Sequence, residues 1–299
     1  MMLLSRKIKE FVSRPLFDED IILKKNFSYP KISIITPSYN QGEFLERTIL
    51  SVLNQNYPNL EYIIIDGGSN DESQEIIKKY QKYISYWVSE SDNGQSHAIN
   101  KGMMLATGDI YAYLNSDDIY FPRTFDFIDK FYKKQSEEWD ILYGHCYIIN
   151  ACDKMKKISI AFQFDLKEYG YGINFIPQPS SFWKKDLFKT IKFNENSKVC
   201  MDAEFFVNAY INGFKFKKVN RILSCFRIHD KSIGGGGRLL KESIEESIKL
   251  HRNIVRISPN STWYRLNNAI LRLKYILFKI LFIINPIIAI KICSQIIKG

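Results

Sequence analysis

From Lys31 to Asn115 the chain switches regularly between two hydrophobic periods. Residues 32–36, ISIIT, form a short β-branched run of the kind shown by a parallel strand buried on both faces, and the turn formers PSYNQG end it. Phe44, Leu45, Ile49, Val52 and Leu53 then fall at near-helical spacing over 43–55, until NYPN stops the pattern. The alternation repeats, with strands expected over 61–66, 84–90 and 109–115 and helices over 71–81 and 95–106. Repeated βα units of this length predict a mostly parallel sheet with helices on both faces.

Beyond Phe121 the regularity loosens. FDFIDKFYKK predicts a helix, residues 140–149 a strand and 156–164 another; an aromatic-rich segment continues to Trp183 without a clear period. Residues 202–212 predict a helix closed by Gly213, and FKFKKV and RILSCFRI predict two further strands. Four glycines at 234–237 then mark a hinge or linker. The remaining tail is apolar and basic, but Lys279, Asn285 and Pro286 interrupt it well short of the roughly 20 residues that cross a bilayer. It reads either as a helix lying in a membrane surface, cations on anionic headgroups, or as a helical hairpin packed on the main body. The expected organisation is an N-terminal extension over 1–30, a main domain over 31–233, and a glycine hinge with a basic, apolar helical tail over 234–299.

Charge distribution narrows the partners. A formal net charge of +10 suggests nucleic acid only where it covers a binding face. Here residues 238–299 carry 11 Lys or Arg against 3 Asp or Glu, while the preceding 237 residues carry 31 against 29. The basic excess belongs to the tail, and no nucleic-acid partner is expected. With 45% hydrophobic and 14% aromatic residues, the chain has ample material for a packed core. Its five cysteines are scattered and never spaced CxxC, which argues against a disulfide framework and a zinc site and for a reducing compartment. The N-terminus shows neither a long apolar h-region nor a small-residue cleavage site, so a cytoplasmic location is expected.

In a doubly wound sheet, ligands bind outside the carboxyl ends of the strands. Those ends read TPSYN, DGGSND, ESDNGQSHAINKG and LNSDD, all polar, three with carboxylates. Asp117 and Asp118 in LNSDD are either ordinary turn residues or hard oxygen ligands for Mg or Mn. Asp66 either turns the chain into Gly67 and Gly68 or accepts hydrogen bonds from a base or ribose. No GxGxxG follows the first strand and no GxxxxGK[ST] occurs, so neither a dinucleotide fold nor a P-loop is supported. A phosphate ligand then needs another counter-charge. A divalent cation on Asp117 would bridge a diphosphate and stabilise it as a leaving group.

ISIITPSYNQGEFLERTILSVLNQNYPNLEYIIIDGGSNDES, DNGQSHAINKGMMLATGDI and LNSDD, in that order, resemble glycosyltransferase family 2 over residues 31–230. The resemblance implies an inverting enzyme of the Rossmann-like GT-A fold that uses a nucleotide-diphosphate sugar and a divalent metal, Mn or Mg. It implies a nucleoside cradle of Thr36, Pro37, Tyr39, Asp66 and Ser69, with Asp92 and Lys101 lining the same pocket. The family's DXD motif falls on Asn115, Ser116 and Asp117, its first carboxylate replaced by Asn, so that metal ligation rests mainly on Asp117. Asp118 either assists or caps the following turn. CMDAEFF resembles the family's acidic motif at the start of a helix, which makes Asp202 the base, with Glu204 two residues on; local physics alone explains an Asp there equally well as a helix cap.

PQPSSFW resembles the acceptor wall, with Gln178 bonding a sugar and Trp183 either stacking on one or filling the core. FRIHDKS resembles the loop after the final strand. There His229 either reaches the metal or diphosphate or is structural, and residues 229–238 are expected to form a flap that orders on donor binding. Taken together, the resemblance implies a transferase peripheral on the inner face of the cell membrane, acting on a saccharide or lipid-linked saccharide in bacterial surface-polysaccharide assembly. A nucleotidyltransferase is disfavoured because TPSYNQG has no Lys or Arg for a phosphate loop. A catalytically silent scaffold is disfavoured by the joint presence of Asp66, Asp117 and Asp202.

Overall fold

The computed structural model describes residues 2–173, 175–232, 240–257 and 260–284. Two N-terminal helices, α1 (Met2–Ser13) and α2 (Glu19–Lys24), precede the alternation read from the sequence. That alternation runs β1 (Ile32–Ser38), α3 (Gly42–Leu53), β2 (Leu60–Asp66), α4 (Ser73–Tyr80), β3 (Tyr86–Ser89), α5 (Gln95–Leu105) and β4 (Ile110–Tyr113). The second half contains β5 (Ile119–Tyr120), α6 (Thr124–Gln135), β6 (Ile141–Asn150), β7 (Met155–Ser159), α7 (Leu166–Gly170), β8 (Ser181–Lys184), α8 (Lys185–Thr190), α9 (Met201–Ile211) and β9 (Phe216–Ile228). Two helices, α10 (Leu240–Val255) and α11 (Thr262–Ile284), form the described part of the tail.

The strands make one sheet in the order β3-β2-β1-β4-β8-β6-β9-β5, with β7 beside β6. Its first four neighbours are parallel, as helical crossovers require. The rest is mixed, which corrects the expectation of a mostly parallel sheet. β8 runs antiparallel to both β4 and β6, and β6 turns directly into β7 through residues 151–154, a hairpin that only an antiparallel pair can make. The two strands expected over 214–228 are one, Phe216–Ile228, because pairing to β6 continues past Asn220 and Arg221 with register shifts. The strand expected over 156–164 stops at Ser159. Beyond it the amides of Ala161 and Phe164 donate to His145 Nδ1 and Tyr143 Oη, side-chain acceptors that replace the ladder.

Alternate residues of the central strands feed two cores. Ile32, Ile34, Tyr62 and Ile64 pack under α3, α4 and α6 with Leu45, Ile49, Ile77 and Phe125. Ile35, Ile63 and Ile65 pack on the opposite face with Ala98, Ile99, Met201, Phe205 and Phe206 of α5 and α9. Each such fully buried side chain contributes about 1.5–3 kcal/mol of apolar transfer free energy. Gly102 lets α5 approach β1 closely, since a Cβ there would lie 2.5 Å from Ile35 Cγ2. The N-terminal helices bury Ile8, Val12 and Ile22, and Asn54 at the end of α3 holds the chain between them by bonding Phe11 O, Arg14 O and Leu16 N.

The tail packs on the α5 and α9 face. Leu250 and Tyr275 join that core, Tyr275 and Lys274 both bond Glu168, and Asn268 donates to the Tyr171 carbonyl. Over these residues the tail is packed on the main body, while one flank of α11 stays exposed. Among the described residues, no helix is long and apolar enough to cross a membrane. The glycines at 234–237 and the segment from Asn285 onward lie outside the described residues.

Candidate active site

The loops after β1, β2 and β3 converge and are tied to one another. Asp66 closes β2 with its side chain buried; its carboxylate accepts from Ser69 N at 2.8 Å, Ser69 Oγ at 2.5 Å and Ser89 Oγ at 2.6 Å. Ser69 Oγ in turn accepts from Asn40 N, and Asn40 Oδ1 accepts from Asn70 N. Gly68 takes φ +80°, a conformation glycine adopts without strain, and Asp92 sits against Gly67 while accepting from Gly94 N at 2.8 Å. Tyr39 projects from this junction, 62% exposed.

Three of the expected cradle residues are used differently from the simplest reading. Thr36 is fully buried, and its hydroxyl lies 3.2 Å from Tyr62 Oη in the α3 core, so it has only backbone to offer a ligand. Pro37 is likewise buried in β1. Lys101 is ion-paired with Glu90.

A second cluster forms where β4 ends. Asn115 Oδ1 accepts from Gln95 Nε2 at 2.6 Å, which links the turn to the start of α5; the Ser116 and Asp118 carbonyls both accept from Thr48 Oγ1 of α3. Asp117 Oδ2 lies 3.0 Å from His229 Nε2, and both side chains are mostly buried, 18% and 6% exposed. His229 N donates to Ser232 Oγ, closing a turn over 229–232; the remainder of the expected flap, 233–238, lies outside the described residues.

Asp118 does not join Asp117 and His229. Its side chain is fully buried and accepts from Arg227 N at 2.8 Å, and burial, with the neighbouring Asp117 charge, pushes its carboxyl well above the usual carboxylate range. One oxygen of its carboxylate thus holds β9, and of the two expected roles for Asp118 the structural one is the one with a visible contact. Among the described residues no group of three or more His, Cys, Asp and Glu side chains is arranged to hold a metal. Asp117 and His229 nonetheless offer one carboxylate and one imidazole side by side. Such a partial set suits Mg or Mn, which commonly keep waters and take substrate phosphates as further ligands.

Sequence reasoning missed what lies under this pair. The Arg227 side chain is fully buried; Nε donates to the Asp117 carbonyl at 2.6 Å, and Nη1 donates to Asn150 O at 3.0 Å and Asp153 Oδ1 at 2.6 Å. Asp153 Oδ2 accepts from Arg47 Nη1 at 2.9 Å. Both guanidiniums lie over the Phe44 ring, 5.0 Å from its centroid, and the His229 ring packs on it at 4.4 Å. One signal was available. Period-two alternation puts Arg227 in phase with Leu223 and Cys225, both buried, and a charge in core phase demands a partner.

Asp202 sits in the first turn of α9, one residue beyond the Cys200–Met201 helix start, so it is not the cap. It is half-buried, its Oδ1 accepts from Ala203 N at 2.8 Å, and desolvation raises its carboxyl above the ordinary value despite that bond. Ser96 Oγ bonds Met201 Sδ at 2.8 Å, so the starts of α5 and α9 touch. Tyr113, the last residue of β4, is held far above the usual phenol range first by burial and then by the charges of Asp202 and Asp118. The charge of Asp202 therefore reaches Tyr113, the residue that leads into the Asp117 turn. Glu204 accepts from Asn194 instead. Gln178 donates its amide to the Tyr113 carbonyl, and Trp183 is fully buried against Tyr113 and Phe205, which settles it as core.

Glu246 of α10 was also missed. Its carboxylate accepts from Ser197 Oγ and the amides of Lys198, Val199 and Cys200, so the tail holds the loop that leads into Asp202.

Comparison with known proteins agrees with this architecture. The family model described as Glycosyl transferase family 2 matches residues 33–206, more than half of the chain. The protein belongs to that family, and it is a transferase. It is 28% identical over 211 residues to an uncharacterised glycosyltransferase of Methanocaldococcus jannaschii, covering 68% of this chain and 72% of that one. It is 25% identical over 245 residues to the GalNAc(5)-diNAcBac-PP-undecaprenol beta-1,3-glucosyltransferase of Campylobacter jejuni, covering 78% of each. Among solved structures, S. aureus TarS 1-349 in complex with UDP-GlcNAc superposes with TM-score 0.61 at 19% identity, covering 78% of this chain and 67% of that one, a likeness of fold.

Proposed function

We propose that the protein is an inverting, metal-dependent glycosyltransferase that moves a sugar from a nucleotide-diphosphate donor to an acceptor hydroxyl in the assembly of a surface polysaccharide. The observation that supports this reading is Asp202, a desolvated carboxyl in the first turn of α9 whose charge acts on Tyr113, the strand residue that leads into the turn where Asp117 meets His229. A base with a raised pKa is matched to proton abstraction near neutral pH. The Asp202 carboxylate takes the acceptor hydroxyl proton while that oxygen attacks the anomeric carbon from the side opposite the diphosphate. The new C–O bond forms as the bond to the diphosphate breaks, and the diphosphate leaves with the electron pair.

Asp117 and His229 would hold a divalent cation, whose chemistry is to stabilise the departing diphosphate. The knitted loops after β1, β2 and β3 receive the nucleoside: Tyr39 offers its exposed ring to the base, and Asp66 with Ser69, Asp92 and the Thr36–Pro37 backbone frame the pocket. Asn115 and Ser116 shape the turn that presents Asp117. Supporting the acceptor class, the Campylobacter relative is named for an undecaprenol-diphosphate-linked saccharide.

The tail belongs to the same reading, with the transferase unit ending at residue 233. α11 exposes Trp263, Leu266, Ile270, Leu273, Leu277 and Ile280, spaced three and four apart along one flank, amid a segment rich in Lys and Arg. Such a face lies on an anionic membrane surface, here the cytoplasmic one.

The test is release of nucleoside diphosphate from a panel of nucleotide sugars with Mn or Mg, with and without chelator. Metal-dependent release from one donor is expected, lost in Asp117→Ala and lowered by roughly 10²-fold or more in Asp202→Asn. Release that survives chelator would remove the metal from the mechanism, and release that survives Asp202→Asn would remove the base.

A further inference from the structure

A cavity of about 400 Å³ opens between α11 and the chain that leads into β8. Ile160, Phe162, Ile173, Ile176 and Ile276 give it apolar walls, and Arg272 stands in the lining as its cation. Gly172 also lines it at φ +83°; a Cβ there would approach Asn268 Nδ2 at 3.2 Å and His251 Cε1 at 3.4 Å, so the missing side chain keeps the two tail helices against this wall. Arg272 Nε is held by Asn268 Oδ1 at 2.7 Å, and among the described residues no carboxylate pairs with its guanidinium. Neighbouring Lys274, by contrast, is neutralised by Glu168.

Ile173, Ile176 and Tyr275 of the cavity lining, with Phe162 packed against them, belong to the core that also contains Met201 and Phe205 of α9, the helix that carries Asp202. Ile176 lies two residues before Gln178, whose amide bonds the Tyr113 carbonyl at the strand end described above. The exposed apolar flank of α11 includes Leu273 and Leu277, the neighbours of Arg272 and Ile276 along the helix, so a greasy path along the helix surface borders the cavity.

We propose that this cavity seats the lipid end of the acceptor, an isoprenoid diphosphate whose phosphates meet Arg272 and whose first isoprene units fill the apolar walls. The inference rests on the lipid-linked acceptor of the preceding section and deepens it by naming where that lipid is read. A volume of about 400 Å³ falls within the range of small-molecule sites and accommodates a head group with a short run of prenyl chain, not a whole long-chain polyprenol. The rest of the chain runs out along α11 to the bilayer. A guanidinium is suited to the phosphates because its planar donors pair with them bidentately.

Farnesyl diphosphate is the probe. It is titrated calorimetrically into the full chain below its micellar concentration in the presence of chelator, which suppresses metal-assisted diphosphate binding at the donor site. Farnesyl diphosphate is expected to bind at least tenfold more tightly than inorganic diphosphate or farnesol alone. Arg272→Glu and Ile276→Asp, both at exposed helix positions that leave folding intact, are each expected to weaken it tenfold or more. Leu266→Asp, on the outer flank, should leave it within twofold. Affinity no better than that of inorganic diphosphate, or insensitive to Arg272→Glu and Ile276→Asp, overturns the proposal. So does an equal loss in Leu266→Asp, which would mark adsorption to any greasy surface. Nucleoside diphosphate release by the wild-type protein, followed in parallel, tests the transferase reading separately, so the two can fail independently.

Discussion

Asp153→Ala removes the counter-ion of a buried cation. Arg227 is fully buried, and Asp153, 3% exposed, is its carboxylate partner at 2.6 Å; the other acceptors on its guanidinium are the neutral carbonyls of Asp117, Asn150 and Ala151. Breaking a buried pair by deleting one member costs about 3–5 kcal/mol, because the remaining charge stays desolvated and uncompensated. At about 2–4 °C per kcal/mol for a chain of this order of size, the melting temperature should fall by roughly 6–20 °C. Asp186→Ala is the control, since its pair with Lys189 is 66% and 71% exposed, and such pairs contribute about 1 kcal/mol or less. The assay is thermal melting by circular dichroism, with metal-dependent nucleotide binding read on the same samples, because Arg227 also pins the carbonyl of Asp117. Arg227→Met combined with Asp153→Leu should lose less than the two single changes together, as apolar replacement of a whole buried pair is often neutral. An Asp153→Ala protein that melts within 2 °C of the wild type, on the same scale of about 2–4 °C per kcal/mol, would refute the reasoning.

Three further outcomes follow from particular contacts. Desolvation raises the Asp202 carboxyl, so its ionisation costs the folded state stability as pH rises through that raised value. Asp202→Asn should therefore melt above the wild type at pH 8, with the gap closing toward the ordinary carboxylate value of about 3.9; activity should show the opposite trend, kcat/KM rising along an acid limb displaced above that value, and a limb at or below it would contradict the assignment. For Glu246, burial opposes the ionised form, but the bonds from the Lys198, Cys200 and Val199 amides and Ser197 prevail and hold its carboxyl below the usual range. Glu246→Gln should cost about 1–3 kcal/mol at neutral pH, a loss that fades as acid protonates the wild-type carboxylate, and should speed hydrogen exchange at residues 198–200. Gly102→Ala should destabilise by about 1–3 kcal/mol in a denaturant titration, because the Ile35 contact outweighs the helix preference for alanine.

The parallel half of the fold was readable because each of its elements is decided locally. ISIIT and EYIIID are buried on both faces, and the intervening helix repeats its apolar positions every three or four residues. The second half was harder to read because its order is set by distant partners. β8 is four residues long and is a strand only because β4 and β6 lie on either side of it. The site divides in the same way. Asp117 stood out as a carboxylate at a strand end, whereas Asp202 and His229 were picked out by the family resemblance of CMDAEFF and FRIHDKS. Arg227 and Asp153 are 74 residues apart, and nothing local announces that they meet. Asp118 stayed open between assisting a metal and capping the turn for a related reason: a sequence does not show that one carboxylate meets His229 while its neighbour accepts from the Arg227 amide.

The four bonds from Glu246 to the loop before α9 alter what the tail is. A segment that served only as an anchor could be removed, exchanged for another anchor, or grafted onto an unrelated carrier without touching the chemistry. Here the same tail that is proposed to meet the bilayer also braces the loop before Asp202 and walls the cavity, so a trimmed protein made for solubility is expected to behave as a different catalyst. Selection faces the same restriction, since a substitution that tunes attachment acts through α10 and α11 on turnover as well. The residence of this enzyme and its reactivity are therefore expected to vary together across its relatives.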